Sequence, residues 1–420
     1  MSQKINVQVS SEIGKLEAVI LHKPGTEVEN MTPQNVERAL YSDILNLTIA
    51  SKEYDELHQV LNKVTTTFQV KELLLDILKN DEVRKSMIHR IVQNEHLEAF
   101  ESNLLDLEYT ELARQLIQGG EMVKNNLTRF LDPEHYGLKP LHNFFFTRDA
   151  AITVNDKVFI GKMANKVRER EAFIMENIFN HHPLLNTQTV NPINFAGCID
   201  NITIEGGDVL IARKDILLIG LGPRTTSQGI DYVIEYLKKT NERRHIIVQK
   251  LPHKPESFIH LDMVFTFLDV DKCMVYEPVI LHPNHFQTIH ITIDKGEVES
   301  IMDVDNIMVA LKTLGMDLKP IFCGGSIDRF SAEREQWHSG ANFFAIAPGK
   351  VIGYGRNEFT INELNKNGFD VLNAKDIIQN KINLNDYQKY VITIEGSELS
   401  RGGGGARCMT MPIARQHIDF

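Results

Sequence analysis

The sequence has few cysteines, no long apolar run and less positive than negative charge. Only four cysteines occur among 420 residues, and none of them forms a C-x-x-C pair. This excludes a disulfide-rich secreted scaffold and a paired-cysteine metal motif. No apolar run reaches the roughly 18 residues that a membrane-spanning helix needs. The N-terminal segment also lacks the apolar core of a signal peptide, so we expect a cytoplasmic protein.

The shortage of basic residues argues against one further class of protein, the generic nucleic-acid-binding proteins. The chain carries 45 Lys and Arg against 56 Asp and Glu, a net charge of −11. A generic nucleic-acid-binding protein would show a basic stripe, whereas an acidic protein attracts small cationic substrates. The length predicts two or more lobes, or one large repetitive unit.

Three of the four cysteines lie in apolar, strand-like segments. Cys198, Cys273 and Cys323 are therefore predicted to be buried and inert. Cys408 instead follows Arg407 in the segment SRGGGGARCMTMP. Four consecutive glycines cost conformational entropy when they are ordered, so this segment is either a flexible connector or a loop that serves the thiol. Its backbone donors and its arginine set Cys408 apart from the buried cysteines.

The first part of the sequence predicts a strand followed mostly by helices. KLEAVILHKPG is strand-like, whereas PQNVERALYSDIL and SKEYDELHQVLNKV have helical patterns. From 71 to 128, apolar residues recur at helical spacing among many charges and without proline. We expect three to five helices there, forming a subdomain that carries no chemistry.

Beyond Pro140 the sequence contains a faint repeat of two short strands. Each copy has a polar anchor, a strand, a turn and a second strand that ends in glycine. The copies run from Asp149 to Gly161, from Asp208 to Gly220, from Asn342 to Gly353 and, more divergently, from Asp262. KLEAVILHKPG is a candidate for the first unit. Such units are expected to surround a common axis on which their polar anchors converge.

The anchors and their neighbours carry unusual chemistry for strand-like segments. They comprise four carboxylates, one histidine and one thiol, namely Asp149, Glu205, Asp208, Asp262, His260 and Cys408. A carboxylate in an apolar setting is costly unless it is paired or reserved for a cation. Singly, Glu205 and Asp208 fit a capped bulge and His260 fits a core histidine, but the six together are hard to explain as packing.

Three kinds of site contain a thiol beside a histidine. A cysteine protease needs an oxyanion hole and one orienting acid, not several carboxylates. A metal site of His260, Asp262 and Cys408 lacks the usual ligand spacing. Several carboxylates instead suit a guanidinium group, a planar cation with a fixed fork of N–H donors. The sequence therefore predicts a cysteine enzyme that modifies a guanidine group.

Five motifs, NFFFTRD, EGGD, HLD, FSAEREQW and ELSRGGGGARCMTMP, occur in this order. In this set the sequence resembles bacterial arginine deiminase of the pentein superfamily, from the first strand to the C-terminus. The resemblance implies an α/β fold, a five-bladed pseudo-symmetric propeller with an inserted helical subdomain. It divides the chain into 1–70 (first part of the propeller), 71–128 (helical insertion) and 129–420 (the remainder, with the catalytic loop).

The resemblance also implies a role for each site residue. Cys408 would attack the guanidinium carbon, and His260 and Glu205 would move protons. Asp149 and Asp262 would grip the guanidinium nitrogens. Water would then release citrulline from an S-alkylthiouronium intermediate. The implied substrate-binding residues, of which the two arginines would hold the α-carboxylate, are Asn143, Phe146, Arg168, Arg224, Asp208, Gly402 and Gly403.

The departure from the family pattern lies at Gly403, where some members carry an arginine. The glycines still fit a gate that closes over a ligand. An agmatine deiminase, an amidinotransferase and a non-catalytic arginine sensor stay open as rivals, although agmatine lacks the carboxylate that would employ Arg168 and Arg224. The expected partners are L-arginine and water, without metal, organic cofactor, nucleic acid or membrane. The resemblance suggests a homo-oligomer, and nearby carboxylates predict a neutral Cys408 thiol until arginine binds.

Overall fold

The computed structural model describes residues 4–33, 36, 40–41, 43–122, 124–131, 135–192, 201–282, 285–325 and 328–420. In chain order the strands are β1 Ile5–Asn6, β2 Leu16–Leu21, β3 Thr66–Gln69, β4 Gly120–Glu121, β5 Tyr136–Leu138, β6 Ala151–Val154, β7 Lys157–Ile160, β8 Leu185–Asn186, β9 Gln188–Val190, β10 Val209–Arg213, β11 Ile216–Leu221, β12 Arg244–Lys250, β13 Phe265–Asp269, β14 Lys272–Val275, β15 Thr288–Asp294, β16 Glu297–Val304, β17 Lys319–Phe322, β18 Phe344–Ala347, β19 Lys350–Tyr354, β20 Asp370–Asn373, β21 Tyr390–Ile394 and β22 Met411–Arg415.

The α-helices lie between these strands, either singly or in consecutive runs such as α3 to α6. In chain order they are α1 Thr26–Glu29, α2 Leu47–Val64, α3 Val70–Leu78, α4 Asp81–Glu95, α5 Glu101–Leu105, α6 Tyr109–Gln118, α7 Asn126–Leu131, α8 Thr147–Ala150, α9 Glu169–His181, α10 Ser227–Lys238, α11 Glu277–Ile280, α12 Ile307–Thr313, α13 Arg329–Trp337, α14 Glu358–Lys366 and α15 Ala374–Ile378. None of these described helices has the length and apolar character needed to cross a bilayer.

Among the described residues, five sheets share one plan, in which an antiparallel pair is followed by a strand that pairs in parallel. They contain β22-β2-β3, β6-β7-β9, β10-β11-β12, β13-β14-β17 and β18-β19-β21. The strand pairs predicted after Asp149, Asp208, Asp262 and Asn342 are thus confirmed. In the sheet that contains β2, the antiparallel partner β22 comes from the other end of the chain.

Tight turns close several of these hairpins, and their residues have the backbone conformation that such turns need. Asn155, between β6 and β7, has a φ of 53°, and Gly349, between β18 and β19, has a φ of 69°. Positive φ is required in two-residue hairpin turns and is tolerated best by glycine and asparagine. The turn residues therefore fix the register of each strand pair in the sheet.

Most of the segment 71–128 is helical, as the sequence predicts, although the short strand β4 lies within it. Helices α3 to α6 lie almost wholly within it, and Asn80 caps α4 by accepting hydrogen bonds from the backbone of Glu82 and Val83. Their apolar faces share one core with Phe173 of α9 and Met411 of β22. The helix predicted in SKEYDELHQVLNKV is confirmed as α2. Of PQNVERALYSDIL, six of the thirteen residues lie outside the described residues, and the described ones include no helical residue.

The five sheets bring five polar residues to equivalent positions. Each lies one to three residues before the first strand of its hairpin or, for Cys408, before β22. All are buried, with between 0% and 3% of their surface exposed. The five anchor residues are Asp149, Asp208, Asp262, Asn342 and Cys408. The predicted burial of Cys273 and Cys323 is also confirmed, and Cys198 lies outside the described residues.

Candidate active site

Cys408 lies in the turn before β22 and is 2% exposed. Its Sγ accepts a hydrogen bond from Nδ2 of Asn342 at 3.2 Å and lies 3.6 Å from Oδ2 of Asp262. Burial, followed by the negative charges of Asp262 and Asp149, raises the pKa of the thiol well above its ordinary value. This direction favours the neutral thiol over the thiolate.

His260 precedes a 3-10 turn and lies between two carboxylates. Its Nε2 is 3.0 Å from Oε2 of Glu205, and its Nδ1 is 3.6 Å from Oδ1 of Asp149. Burial favours the neutral imidazole, but Asp149, Glu205 and Asp208 outweigh it and raise the pKa of His260 to about 9. Burial likewise opposes ionisation of Glu205, yet the hydrogen bond from His260 and the charge of Arg224 lower its pKa to about 2. The pair is thus an imidazolium and a carboxylate.

Asp149 and Asp262 each hold a guanidinium group of the protein itself. Nη1 of Arg168 donates to Oδ2 of Asp149 at 2.7 Å, and Nη1 of Arg407 donates to Oδ2 of Asp262 at 2.8 Å. The sequence did not point to Arg407 as a partner of Asp262. Its neighbour Glu12, which accepts from Nε and Nη2 of Arg407 at 3.1 and 3.0 Å, carried no signal at all.

The two predicted carboxylate-binding arginines are in different environments. Arg168 is buried and donates to Asp149 and, through Nε and Nη2, to Oε2 of Glu171 at 3.0 and 2.8 Å. A substrate carboxylate could bind Arg168 only if one of these partners released it. Arg224 has a side chain that is 12% exposed and lies 3.7 Å from Oε1 of Glu205.

Other predicted substrate-binding residues frame this cluster. Phe146 and Asn143 are buried, and their carbonyl groups accept from Nη2 of Arg168 at 3.3 and 3.4 Å. Asp208 accepts a hydrogen bond at 2.9 Å from the backbone of Leu261, and burial raises its pKa to about 7. This contact secures the turn between His260 and Asp262, so Asp208 supports the site through the backbone.

The glycines before Cys408 are needed mainly for close packing. A Cβ on Gly404 would lie 2.5 Å from the ring of Phe146, and one on Gly405 would lie 2.7 Å from Oδ1 of Asn342. Gly403 has room for a side chain, but its φ of 82° is unfavourable for other residues. The sequence alone indicated that these glycines allow the loop to move. The structure adds that Gly404 and Gly405 must lack a side chain, because neighbouring atoms occupy that space.

An open cavity of about 250 Å³ reaches the glycine loop. Its lining includes Arg224, Trp337, Arg401, Gly402 and Gly403, and it includes none of the buried cluster that contains Cys408. The loop therefore separates the cavity from the thiol.

Asn342 was noted in the sequence only as the polar anchor of one repeat, and its contact with the thiol was missed. Its Oδ1 accepts from the backbone N–H groups of Arg407 and Cys408 at 2.9 and 3.3 Å. The equivalence of the anchors was the signal that could have identified it.

Asp149, Glu205 and His260 could together hold a metal ion, because one ligand atom from each lies within 4.8 Å of the other two. The hydrogen bond between His260 and Glu205 and the one from Arg168 to Asp149 account for this grouping without an ion.

Comparison with known proteins places these residues in a family. A family model described as arginine deiminase matches residues 37–415.

The chain belongs to the arginine deiminase family.

Two relatives named arginine deiminase illustrate the likeness. The protein of Bacillus cereus (strain ATCC 10987 / NRS 248) is 34% identical over 432 residues, covering 98% of this chain and 99% of the relative. That of Mycoplasma capricolum subsp. capricolum is 32% identical over 431 residues, covering 100% of this chain and 99% of the relative.

Solved structures show that this family member has the α/β pentein fold. The N-terminal domain of ArgZ, an arginine dihydrolase from cyanobacteria, superposes with a TM-score of 0.53 at 14% identity, covering 95% of this chain and 97% of that one. SxtG, an amidinotransferase from Microseira wollei, gives a TM-score of 0.54 at 14% identity, covering 99% of this chain and 98% of that one.

Proposed function

We propose that the chain is an arginine deiminase, which hydrolyses L-arginine to L-citrulline and ammonia in arginine catabolism. The observation that carries the proposal is the setting of Cys408, a buried thiol that lies 3.6 Å from Asp262 in the same cluster as the ion pair of His260 with Glu205. A nucleophile, a proton carrier and carboxylates for a guanidinium group are the parts that this hydrolysis needs.

Asp149 and Asp262 are proposed to grip the substrate guanidinium. Each already binds a guanidinium group, Arg168 or Arg407, so their oxygens are oriented toward N–H donors. Among the described residues, Oδ1 of Asp149 and Nδ1 of His260 are buried without a hydrogen-bond partner. Oδ1 of Asp149 is proposed to accept a hydrogen bond from one N–H of the substrate. Nδ1 of His260 is proposed to protonate the departing nitrogen.

The proposed reaction has two halves. In the first, the thiol proton passes to Asp262 and Sγ of Cys408 then bonds to the guanidinium carbon. A C–N bond breaks while His260 protonates the leaving nitrogen, which departs as ammonia. A pKa of about 9 keeps His260 protonated near neutral pH for this step. In the second, His260 takes a proton from water, the oxygen adds to the same carbon, and the C–S bond breaks as Asp262 returns its proton to the sulfur. The hydroxyl proton leaves to solvent, where the released ammonia takes up a proton. Guanidinium and water thereby become a ureido group and an ammonium ion.

Arg224 is proposed as the first contact for the substrate α-carboxylate. Unlike the buried Arg168, it lines the open cavity, and its ion-pair partner among the described residues is Glu205 at 3.7 Å. Arg168 is proposed to join after it exchanges one of its two carboxylate partners. Some family members have an arginine at the position of Gly403, and this chain lacks it. Arg224 and Arg168 are therefore the residues proposed to bind the α-carboxylate.

The finer description of the fold belongs to the same proposal. Five equivalent sheets, with β22 beside β6, β13 beside β18 and β18 beside β2, support a five-bladed propeller with pseudo-fivefold symmetry. The division into 1–70, 71–128 and 129–420 is part of this proposal, as are a homo-oligomeric state and a cytoplasmic location. Light scattering of the purified protein tests the oligomeric state.

The experiment that tests the activity uses two substrates. Purified protein is incubated with L-arginine or agmatine, and ureido product and ammonia are measured, with Cys408→Ala as the blank. We expect citrulline and ammonia in equal amounts from arginine alone. Turnover of agmatine alone would indicate an agmatine deiminase, and arginine binding without turnover would indicate a sensor. Amidino transfer to an added amine without citrulline would indicate an amidinotransferase.

A further inference from the structure

Asn342, one of the five anchor residues, contacts the nucleophile and has no part in the mechanism described above. We propose that Asn342 is a catalytic residue, whose side-chain amide donates a hydrogen bond to Sγ of Cys408 and stabilises the thiolate as it forms. The inference rests on the proposed function, because the thiolate matters only if Cys408 is the nucleophile.

The orientation of the amide is fixed by its surroundings. Oδ1 faces two donors, the backbone N–H groups of Arg407 and Cys408, at 2.9 and 3.3 Å. Nδ2 faces acceptors, namely the carbonyl of Asp262 at 3.1 Å and Sγ of Cys408 at 3.2 Å. A rotation of the amide by half a turn would place donor against donor and acceptor against acceptor. The N–H group must therefore point at the sulfur.

The electrostatic setting makes this donor important. Asp262 lies 3.6 Å from the sulfur, and its charge and that of Asp149 both oppose a thiolate. The backbone of Gly405 and the charge of Arg407 favour the thiolate, but Arg407 donates to Asp262 and Glu12. Asn342 adds a side-chain donor without adding charge, which an acidic residue in this position could not do.

The same contact is maintained through the reaction. When the thiol proton passes to Asp262, the sulfur gains a full negative charge, and its hydrogen bond from Asn342 becomes charge-assisted. When the C–S bond forms, that charge is lost and the bond weakens. The amide thus stabilises the attacking thiolate more than the resting thiol, and it neither gains nor loses a proton.

The burial of Asn342 also explains one glycine of the loop. Asn342 is 1% exposed, and a Cβ on Gly405 would lie 2.7 Å from its Oδ1. Glycine at this position therefore leaves the space that the amide needs beside Cys408.

Two substitutions separate the donor from the backbone contacts. Asn342→Asp keeps an oxygen for the backbone N–H groups and replaces the donor to the sulfur by a carboxylate oxygen. Asn342→Ser introduces a shorter side chain and, unlike Asn342→Asp, adds no charge. The matched control is Asn357→Asp, because Asn357 is 2% exposed and donates to the carbonyl of His338 at 3.0 Å, away from the thiol.

Each variant is tested by steady-state kinetics with L-arginine and by the pH dependence of Cys408 alkylation with iodoacetamide, read by mass spectrometry. For Asn342→Asp we expect kcat to fall roughly 10- to 100-fold with little change in KM, because a hydrogen bond to a charged group is lost. The alkylation midpoint should rise by about one pH unit or more, and Asn342→Ser should shift it in the same direction. Asn357→Asp should leave both quantities unchanged.

An unchanged alkylation midpoint in Asn342→Asp and Asn342→Ser would overturn the proposal, whatever happens to stability. If Asn342→Asp does not fold, Asn342→Ser alone decides by the same readout. If the unmodified protein makes no citrulline, the proposed function fails, whereas the alkylation profiles still decide whether Asn342 acts on the sulfur.

Discussion

Glu12→Gln tests whether a buried charge network joins the two ends of the chain around the site. Glu12 accepts from Nε and Nη2 of Arg407 at 3.1 and 3.0 Å, and Arg407 also donates to Asp262 at 2.8 Å and to the carbonyl of Val209 at 2.9 Å. Arg407 is 1% exposed. The substitution keeps the shape of the side chain, removes its charge and turns an amide N–H toward the guanidinium group.

The expected loss of unfolding free energy in Glu12→Gln follows from the pKa of Glu12. Burial would raise it, but Arg407 and then Arg148 outweigh burial and lower the pKa from 4.5 to about 2. A shift of this size corresponds to about 3 kcal/mol in the free energy of unfolding. Because the folded pKa is depressed, the contribution is complete above pH 4.5 and is lost as the pH falls through about 2. At pH 3, about half or less of this contribution of Glu12 to the free energy of unfolding should remain.

Urea unfolding at pH 7 and pH 3 measures this contribution. The transition can be followed by circular dichroism and by the fluorescence of Trp337, since the chain has one tryptophan, and coincident curves support a two-state treatment. Glu29→Gln is the control, because it makes the same change at an exposed position and should cost less than about 0.5 kcal/mol. A loss below about 1 kcal/mol at pH 7, or an equal loss at both pH values, would refute the reasoning.

Further predictions concern proton transfer, substrate binding and the loop. The folded pKa of His260 is raised from 6.5 to about 9, so the stability that His260→Gln removes should be full below pH 6.5 and vanish above pH 9; urea unfolding at pH 6 and 10 checks this. Arg224→Met should raise KM for arginine roughly 10-fold or more with little change in unfolding, whereas Arg168→Met should cost about 3–5 kcal/mol because it leaves buried carboxylates unpaired. A reversed pattern would contradict their assignment. Gly405→Ala should lower kcat more than Gly403→Ala, since only the former meets neighbouring atoms; equal kinetics would exclude the steric role.

Local patterns in the sequence were sufficient for most elements of the fold. The hairpins that begin after Asp149, Asp208 and Asn342 follow from alternating apolar strands and turn residues, and α2 follows from helical spacing. The resemblance identified the family, and the repeated anchors indicated where the chemistry lies. These features depend on residues close together in sequence, which is why they can be read without coordinates.

Some contacts could not be predicted because they join distant parts of the chain. Glu12 and Arg407 are separated by 395 positions, and β22 completes the sheet of β2 from the opposite terminus. No local periodicity encodes such pairs, because they arise only when the sheets close on one another. Arg168 shows the same limit, since its sequence position indicates a substrate contact but its burial against Asp149 and Glu171 depends on packing.

The sequence by itself determined the strand pairs, the helical segment, the chemical types of the site residues and, through its motifs, the family. Only the tertiary structure decided which atoms of those residues meet. It placed the amide of Asn342 on the sulfur of Cys408 at 3.2 Å and paired His260 with Glu205 at 3.0 Å. The physical reason is that pKa values and hydrogen bonds depend on burial and on distances of a few ångström, which are properties of the packed chain.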